Sequence, residues 1–332
     1  MGAITRWLLA LLTGLMLMLP FASGQTAAWA AEPAAVPLHV ALRVGNVYRF
    51  SAREKTYGAE GTLRLSAPAA EMRRWLAAGV DPVQLVRFQN LVEPWNSQIE
   101  ANSGPLRLGT NIGRDYHFNG TFYSDEINFR SYPFGTLPLQ LQVVADPSFP
   151  SSLSHPPRLQ LKPNPAQSSV QRSSNMNGYR LSAWQLVPEQ GGVEMQLIYN
   201  PMGWSALVKW VLPLTITMVV MLLTPNLRAS FSSERLAIPP VVLLTLVFMQ
   251  QAYRDSLPSL PYLTVLDGLY AFSYLVTLVF FCEFIWCANR NDRLGGACSA
   301  VGERRIERLE LSLQLASLAG YSLLVAWAWG QS

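Results

Sequence analysis

The chain has little charge and few groups suited to chemistry. Only 14 % of its 332 residues are Asp, Glu, Lys or Arg, against roughly a quarter in soluble domains. The shortage runs through both the first 200 or so residues and the last 130. There are three histidines, His39, His117 and His155, scattered along the N-terminal half. That scatter gives no cluster with metal-ligand or triad spacing, so nothing in the sequence points to an enzyme. The three cysteines, Cys282, Cys287 and Cys298, all lie in the C-terminal part. The N-terminal part therefore uses no disulfide, although an exported domain permits them. With no histidine nearby, the cysteine spacing is poor for zinc, and Cys282 and Cys287 read as packing residues. No internal repeat of solenoid type is present.

What the chain does have is long apolar runs. Four hydrophobic segments fall at about 204–224, 236–253, 262–287 and 310–329. Each is long enough for a hydrocarbon layer roughly 30 Å thick. A short apolar run, Trp7 to Leu19, follows Arg6 and precedes Ala28-Trp29-Ala30. This is the pattern of a secretory signal peptide over 1–30; the competing reading, an uncleaved span, is disfavoured by the shortness of its core. The net charge of +4 does not signal nucleic acid, because of where it sits. Arg290, Arg293, Arg304, Arg305 and Arg308 follow the third segment, and Arg228 and Arg235 lie between the first two. By the positive-inside tendency both loops face the cytoplasm, with 288–309 as a short basic loop. The domain at 31–199 then lies outside, as the leader independently requires. The expected location is a bacterial inner membrane, with the N-terminal domain in the periplasm or outside.

Segment 31–199 alternates with period two. Leu38, Val40, Leu42 and Val44 share one face, and Gly45-Asn46 is a turn or bulge signal. Thr62 to Ser66, Arg114 to Phe122 and Leu137 to Val144 repeat the pattern, with Pro138 arguing for an edge or bulge. Glu71 to Ala78 reads as a short helix, and 94–107 is a proline- and polar-rich stretch. One strand is expected within the loops of 145–178, at 158–162. Tyr179–Val187 and Val193–Tyr199 bracket a hairpin at 188–192. The domain is expected to be an all-β sandwich. Trp75, Trp95, Tyr116, Phe122, Tyr123 and Trp184 are its candidates for an aromatic cage around a cation, although each singly reads as core.

The second apolar segment differs from the others. Glu234-Arg235 precede it and Arg254-Asp255 follow it. Nineteen steps of helix between the arginines cover about 28 Å. One face carries Ala237, Val241, Leu244, Phe248 and Gln251. Pro239 and Pro240 remove two backbone donors near its start, where the cost is small. Lys209 and Asp267 fall near the outer ends of their segments, within reach of polar surroundings. Glu283 lies deep in the third and needs a partner or a proton.

In order and spacing these features resemble the pentameric ligand-gated ion channels, the Cys-loop receptor superfamily, in its prokaryotic branch. The resemblance spans nearly the whole mature chain. Gly120-Thr121-Phe122 with Ile127 to Phe134 looks like the family's strand and Phe-Pro-Phe-Asp turn, with Gly135 in place of the aspartate and Leu137 in place of a glutamine. Trp184 is similar to a family tryptophan. Asn200-Pro201 and Leu212-Pro213 resemble the entry and midpoint of the first helix. Leu257 to Asp267 resembles the loop joining the second and third helices.

The resemblance implies a homopentamer around the second helix, with membrane lipids, inorganic ions and an unknown small-molecule or proton stimulus as partners, no cofactor, no metal and no nucleic acid. Glu234, Arg235, Ala237, Val241, Gln251 and Asp255 would set the pore and its selectivity. Leu244 and Phe248 would form the gate. Tyr132, Pro133, Phe134, Leu257, Pro258, Pro261 and Tyr262 would couple the domains. The apolar inner positions, the double proline and the short hairpin at 188–192 depart from the family pattern. The expected function is a gated, cation-selective channel; the alternative is a non-conducting sensor or scaffold of the same fold.

Overall fold

The computed structural model describes residues 35–102, 104–148, 150, 158–171, 174, 176, 178–227, 232–293 and 300–330. The leader expected at 1–30, His155, Arg228 and Cys298 lie outside them.

Two sheets form first. One runs β4-β6-β2-β1-β8 and the other β10-β11-β7-β3, with the short β5 on β6 and β9 on β1. The long strands are β1 (Val36–Ser51), β2 (Thr56–Pro68), β6 (Asn111–Tyr123), β7 (Leu137–Ala145), β10 (Tyr179–Glu189) and β11 (Gly192–Pro201). The short ones are β3 (Val86–Phe88), β4 (Gln98–Ala101), β5 (Leu106–Leu108), β8 (Leu159–Pro163) and β9 (Ser169–Val170). Inward positions of both sheets make the core: Leu38, Val40, Leu42, Leu63, Leu65, Tyr116 and Phe118 from one, Leu139, Leu141, Met195 and Leu197 from the other. The result is sandwich-like. α1 (Ala69–Ala77) closes one part of it through the buried Met72 and Trp75.

Several local signals have a clear structural role. The register of β1 against β2 shifts between Val44 and Asn46, as expected for a bulge at Gly45-Asn46. Opposite it, a Cβ on Gly61 would lie 2.2 Å from the Arg43 carbonyl oxygen, so the two backbones approach only because position 61 has no side chain. Pro138 lies in β7, which is flanked by β11 and β3. The last β3 pairing is Phe88 with Val143, so Pro138 sits beyond that neighbour, where β7 behaves as an edge. The proline- and polar-rich 94–107 stretch contributes β4 and most of β5 to the edge of β6. The β10–β11 turn is tighter than expected, with Glu189 pairing Gly192 and Gly191 at φ +79°.

Four helices follow, each long and apolar enough to cross a membrane. They are α2 (Gly203–Asn226), α3 (Ser232–Asp255), α4 (Val265–Arg293) and α5 (Ala300–Gly330). α2 contains a π-helical stretch at Leu207–Val211, closed by the Leu212 N–H bonding the Leu207 carbonyl. Pro213 follows at once; it cannot donate to the carbonyl four residues back, and the wider turn absorbs that lost bond. The segment expected as a loop over 288–309 is mostly helix, since α4 runs to Arg293 and α5 begins at Ala300. A helix extending past the hydrocarbon layer loses its hydropathy signal but not its backbone bonds.

Candidate pore face and coupling junction

α3 presents two faces. Arg235, Pro239, Val242, Leu246 and Tyr253 are buried against the other helices, a spacing of three and four with one double step. The opposite stripe, Glu234, Ala237, Val241, Leu244, Phe248, Gln251 and Asp255, is exposed along its whole length. Val241, Leu244 and Phe248 are 62 %, 56 % and 66 % exposed. The stripe is apolar in the middle and polar at both ends. At one end Ser233 donates to Glu234 (2.8 Å); at the other Gln251 donates to Asp255 (3.0 Å). Pro240 lies on the exposed side and Pro239 on the buried side.

Arg235 is the one expected pore residue that does not share this face. Its guanidinium is buried, pairs with Glu310 of α5, and lies 4.8 Å from the Phe284 ring centroid of α4. It anchors the start of α3 in the bundle, so any influence on ions is indirect. The partner that Glu283 needed is the Cys287 thiol, which donates to it (Sγ–Oε1 3.0 Å). Cys287 is thus a hydrogen-bond donor as well as a packing residue, while Cys282 is exposed.

At the other end of α3 the sandwich meets the bundle. The turn after β6 brings Phe129, Arg130 and Tyr132 onto the loop between α3 and α4. The Phe129 N–H donates to the Tyr262 hydroxyl (3.2 Å), the Val265 N–H donates to the Arg130 carbonyl (3.0 Å), and the Arg130 guanidinium lies 5.4 Å from the Tyr262 ring centroid. The peptide between Tyr132 and Pro133 is cis. The Tyr132 ring stacks on Tyr253 of α3 at 6.1 Å, and Tyr253 also touches Trp210 of α2 and Tyr270 of α4. Pro133 and Leu257 are buried, and Phe134 and Pro258 half-buried; Pro261 is exposed. Burial raises the pKa of the Tyr132 hydroxyl above its ordinary value, so that residue is a neutral phenol here.

The start of α4 is capped by its own sequence. The Thr264 N–H donates to Asp267 Oδ2 (2.9 Å) and the Asp267 N–H donates to Thr264 Oγ1 (3.2 Å). This is a capping box with aspartate in the place of glutamate. Arg254 of α3 lies 3.0 Å from the other Asp267 oxygen. Asp267, expected near polar surroundings, has them in Thr264 and Arg254; it is 3 % exposed and ties α3 to α4. Lys209 is exposed, with its ammonium 4.7 Å from the Trp210 ring centroid.

Sequence reasoning missed Tyr253, Trp210, Arg130 and Thr264. Of these, only Thr264 left a local signal, the Thr-x-x-Asp spacing. The sandwich brings no aromatic cage together at the expected residues. Trp75, Tyr116 and Phe122 are core, whereas Trp95 is 83 % exposed on a 3-10 turn at Pro94–Asn96. His39 and His117 sit on β1 and β6, separated by β2. Neither a scan against protein-family models nor a search of curated proteins finds a match for this chain.

Proposed function

We propose that this chain assembles as a homopentamer, a gated channel selective for cations, with the exposed stripe of α3 lining the central path. The observation that carries this reading is the stripe itself. It is one continuous face of a membrane-spanning helix, acidic at one end, amide and acid at the other, and closed by large apolar side chains between. A single copy of α3 encloses nothing, so symmetry is needed to build a path. Glu234 would favour cations at the inner mouth. Leu244 and Phe248 would hold a dry constriction that opens by hydration. Contacts of Phe129, Arg130 and Tyr132 with Tyr253, Tyr262 and Val265 support transmission from an outer stimulus to α3 and α4. On this reading the sandwich lies outside an inner membrane, and no catalytic role is assigned.

Purified chain should run as a pentamer in native mass measurement, and single-channel recording in lipid should show currents. A stable monomer or dimer would overturn the assembly. A pentamer that never conducts would favour a sensor or scaffold, a reading to which the apolar Ala237 and Val241 lend weight.

A further inference from the structure

The end of the bundle opposite the sandwich holds a polar cluster that ion conduction does not need. Four side chains from three helices meet there: Arg235 of α3, Glu283 and Cys287 of α4, and Glu310 of α5. Arg235, Glu283 and Glu310 are 5 %, 7 % and 8 % exposed. Glu283 and Cys287 are four residues apart, so they share one helical face. The Cys287 sulfur and one oxygen from each carboxylate lie within 4.8 Å of one another. Arg235 pairs with Glu310 Oε1 and donates to the Pro225 carbonyl (3.3 Å). The second oxygen of Glu283, Oε2, is buried and has no hydrogen-bond partner among the described residues.

Two facts point to an occupant. If both carboxylates are ionised, they outnumber the one guanidinium that the described residues place beside them, and an uncompensated charge inside a helix bundle is costly. The lone pairs of Glu283 Oε2 are also unused, and a buried acceptor without a partner is unfavourable. A proton shared between the neighbouring Glu283 and Glu310 carboxylates would lower the charge. A divalent cation lowers it too, and engages the Cys287 sulfur as well. Its two charges and that of Arg235 balance two carboxylates and a Cys287 thiolate; the thiol proton leaves to solvent on binding.

We propose that Glu283, Cys287 and Glu310 bind a divalent cation of the zinc class. One sulfur and two oxygens suit a borderline ion such as Zn2+ or Cd2+, not Mg2+ or Ca2+, which take all-oxygen sets. Zinc bond lengths imply ligand separations of about 3.3–3.8 Å, reached from the observed spacing by small side-chain rotations. Water would complete the tetrahedron. Arg235 would hold the Glu310 carboxylate in place, as outer hydrogen bonds orient metal ligands. Bound metal would thereby fasten the start of α3, next to Glu234, to α4 and α5. Only that last consequence rests on the channel reading.

The test is a Co2+ titration of the reduced, chelator-stripped full-length protein. Wild type should take up one equivalent per chain, with a thiolate-to-cobalt absorption band and tetrahedral ligand-field bands. Zn2+ should displace it and excess Mg2+ should not. Cys287→Ser should abolish the thiolate band, and Glu283→Gln should weaken binding by about 10–100-fold. Cys282→Ser and Cys298→Ser should change neither. Zn2+ should raise the thermal midpoint of wild type but not of Cys287→Ser, a comparison that also checks folding. Absence of the band in wild type, its survival in Cys287→Ser, or equal competition by Mg2+ overturns the proposal. Metal binding without current in any variant would leave this site standing and remove the channel reading instead.

Discussion

Tyr132 of the sandwich and Tyr253 of α3 stack with planes 28° apart, and Tyr253 has no exposed surface. One ring of an apolar helix therefore touches the sandwich, α2 and α4 together. Its hydroxyl also bonds the Thr264 side chain. Tyr253→Ala removes all of these contacts and should cost about 3–5 kcal/mol. Tyr253→Phe keeps the rings and should cost about 1 kcal/mol. Thermal unfolding in detergent gives the order, and the stimulus needed for half-maximal current should rise more for alanine. Equal behaviour of the two variants would mean that the rings carry no coupling.

Leu244 and Phe248 lie one turn apart on the exposed stripe, about 6 Å along the axis. On the proposed reading, Leu244→Ser offers water a partner at the constriction, so it should produce spontaneous current or lower the stimulus required. Phe248→Ala should act with the same sign. A side chain that only packs would instead reduce assembly and give no leak. Unchanged currents in assembled Leu244→Ser protein would move the barrier to Val241 or the proline pair.

Neighbouring residues at the start of α3 should behave oppositely. Glu234 is exposed and Arg235 buried. Glu234→Gln should shift reversal potentials in asymmetric salt away from cation preference and leave stability alone. Arg235→Ala strands Glu310 without its cation, which should destabilise by about 3–5 kcal/mol. Anion current in wild type would refute the assignment of Glu234.

Thr264→Ala deletes the N-cap of α4 and one anchor of Asp267. A cap loss of this kind costs about 0.5–2 kcal/mol. Thr264→Ser keeps the hydroxyl and should restore most of it. Amide exchange at Val265 to Gly268 would report the loosening locally.

The sandwich should lose stability in acid through Arg64 and Asp115. Arg64 bonds both Asp115 oxygens, at 2.5 and 2.6 Å, and holds that carboxyl below its usual range. A depressed folded pKa contributes stability that is complete above the unfolded value, about 3.9, and is lost as pH falls through the folded one. Asp115→Asn should therefore lower stability at pH 7 and flatten the acid limb below pH 4. An acid limb identical to wild type would show that other carboxylates set it.

The legible parts were those with a local period. Leu38 to Val44 announced β1, and Ala237 to Gln251 marked a face of α3 that is exposed as a whole. The partners were not legible, because they depend on distant chain. Arg235 meets Glu310 across 75 positions, and nothing near either residue names the other. Tyr253 carried no signal of its own; only the fold brings Tyr132, Trp210 and Tyr270 onto it. Asp267 was expected in polar surroundings because it follows a loop, but its particular partners were not legible: a capping box turns the side chain onto its own helix start, and Arg254 meets it from α3. The extensions of α4 and α5 escaped because basic residues mark sidedness without ending a helix.

The chain passes from sandwich to bundle only once, where β11 ends at Pro201 and α2 begins at Gly203. With almost no slack between them, strand and helix act as a tether in series, and the π turn at Leu207–Val211 is its compliant link. The noncovalent clasp at Tyr132 and Tyr262 works beside it in parallel. Lengthening the tether with a few glycines after Pro201 would leave every clasp contact available while removing the pull along the chain. If motion travels through the tether, that insertion silences the response in a protein that still folds; if it travels through the clasp, the insertion goes unnoticed.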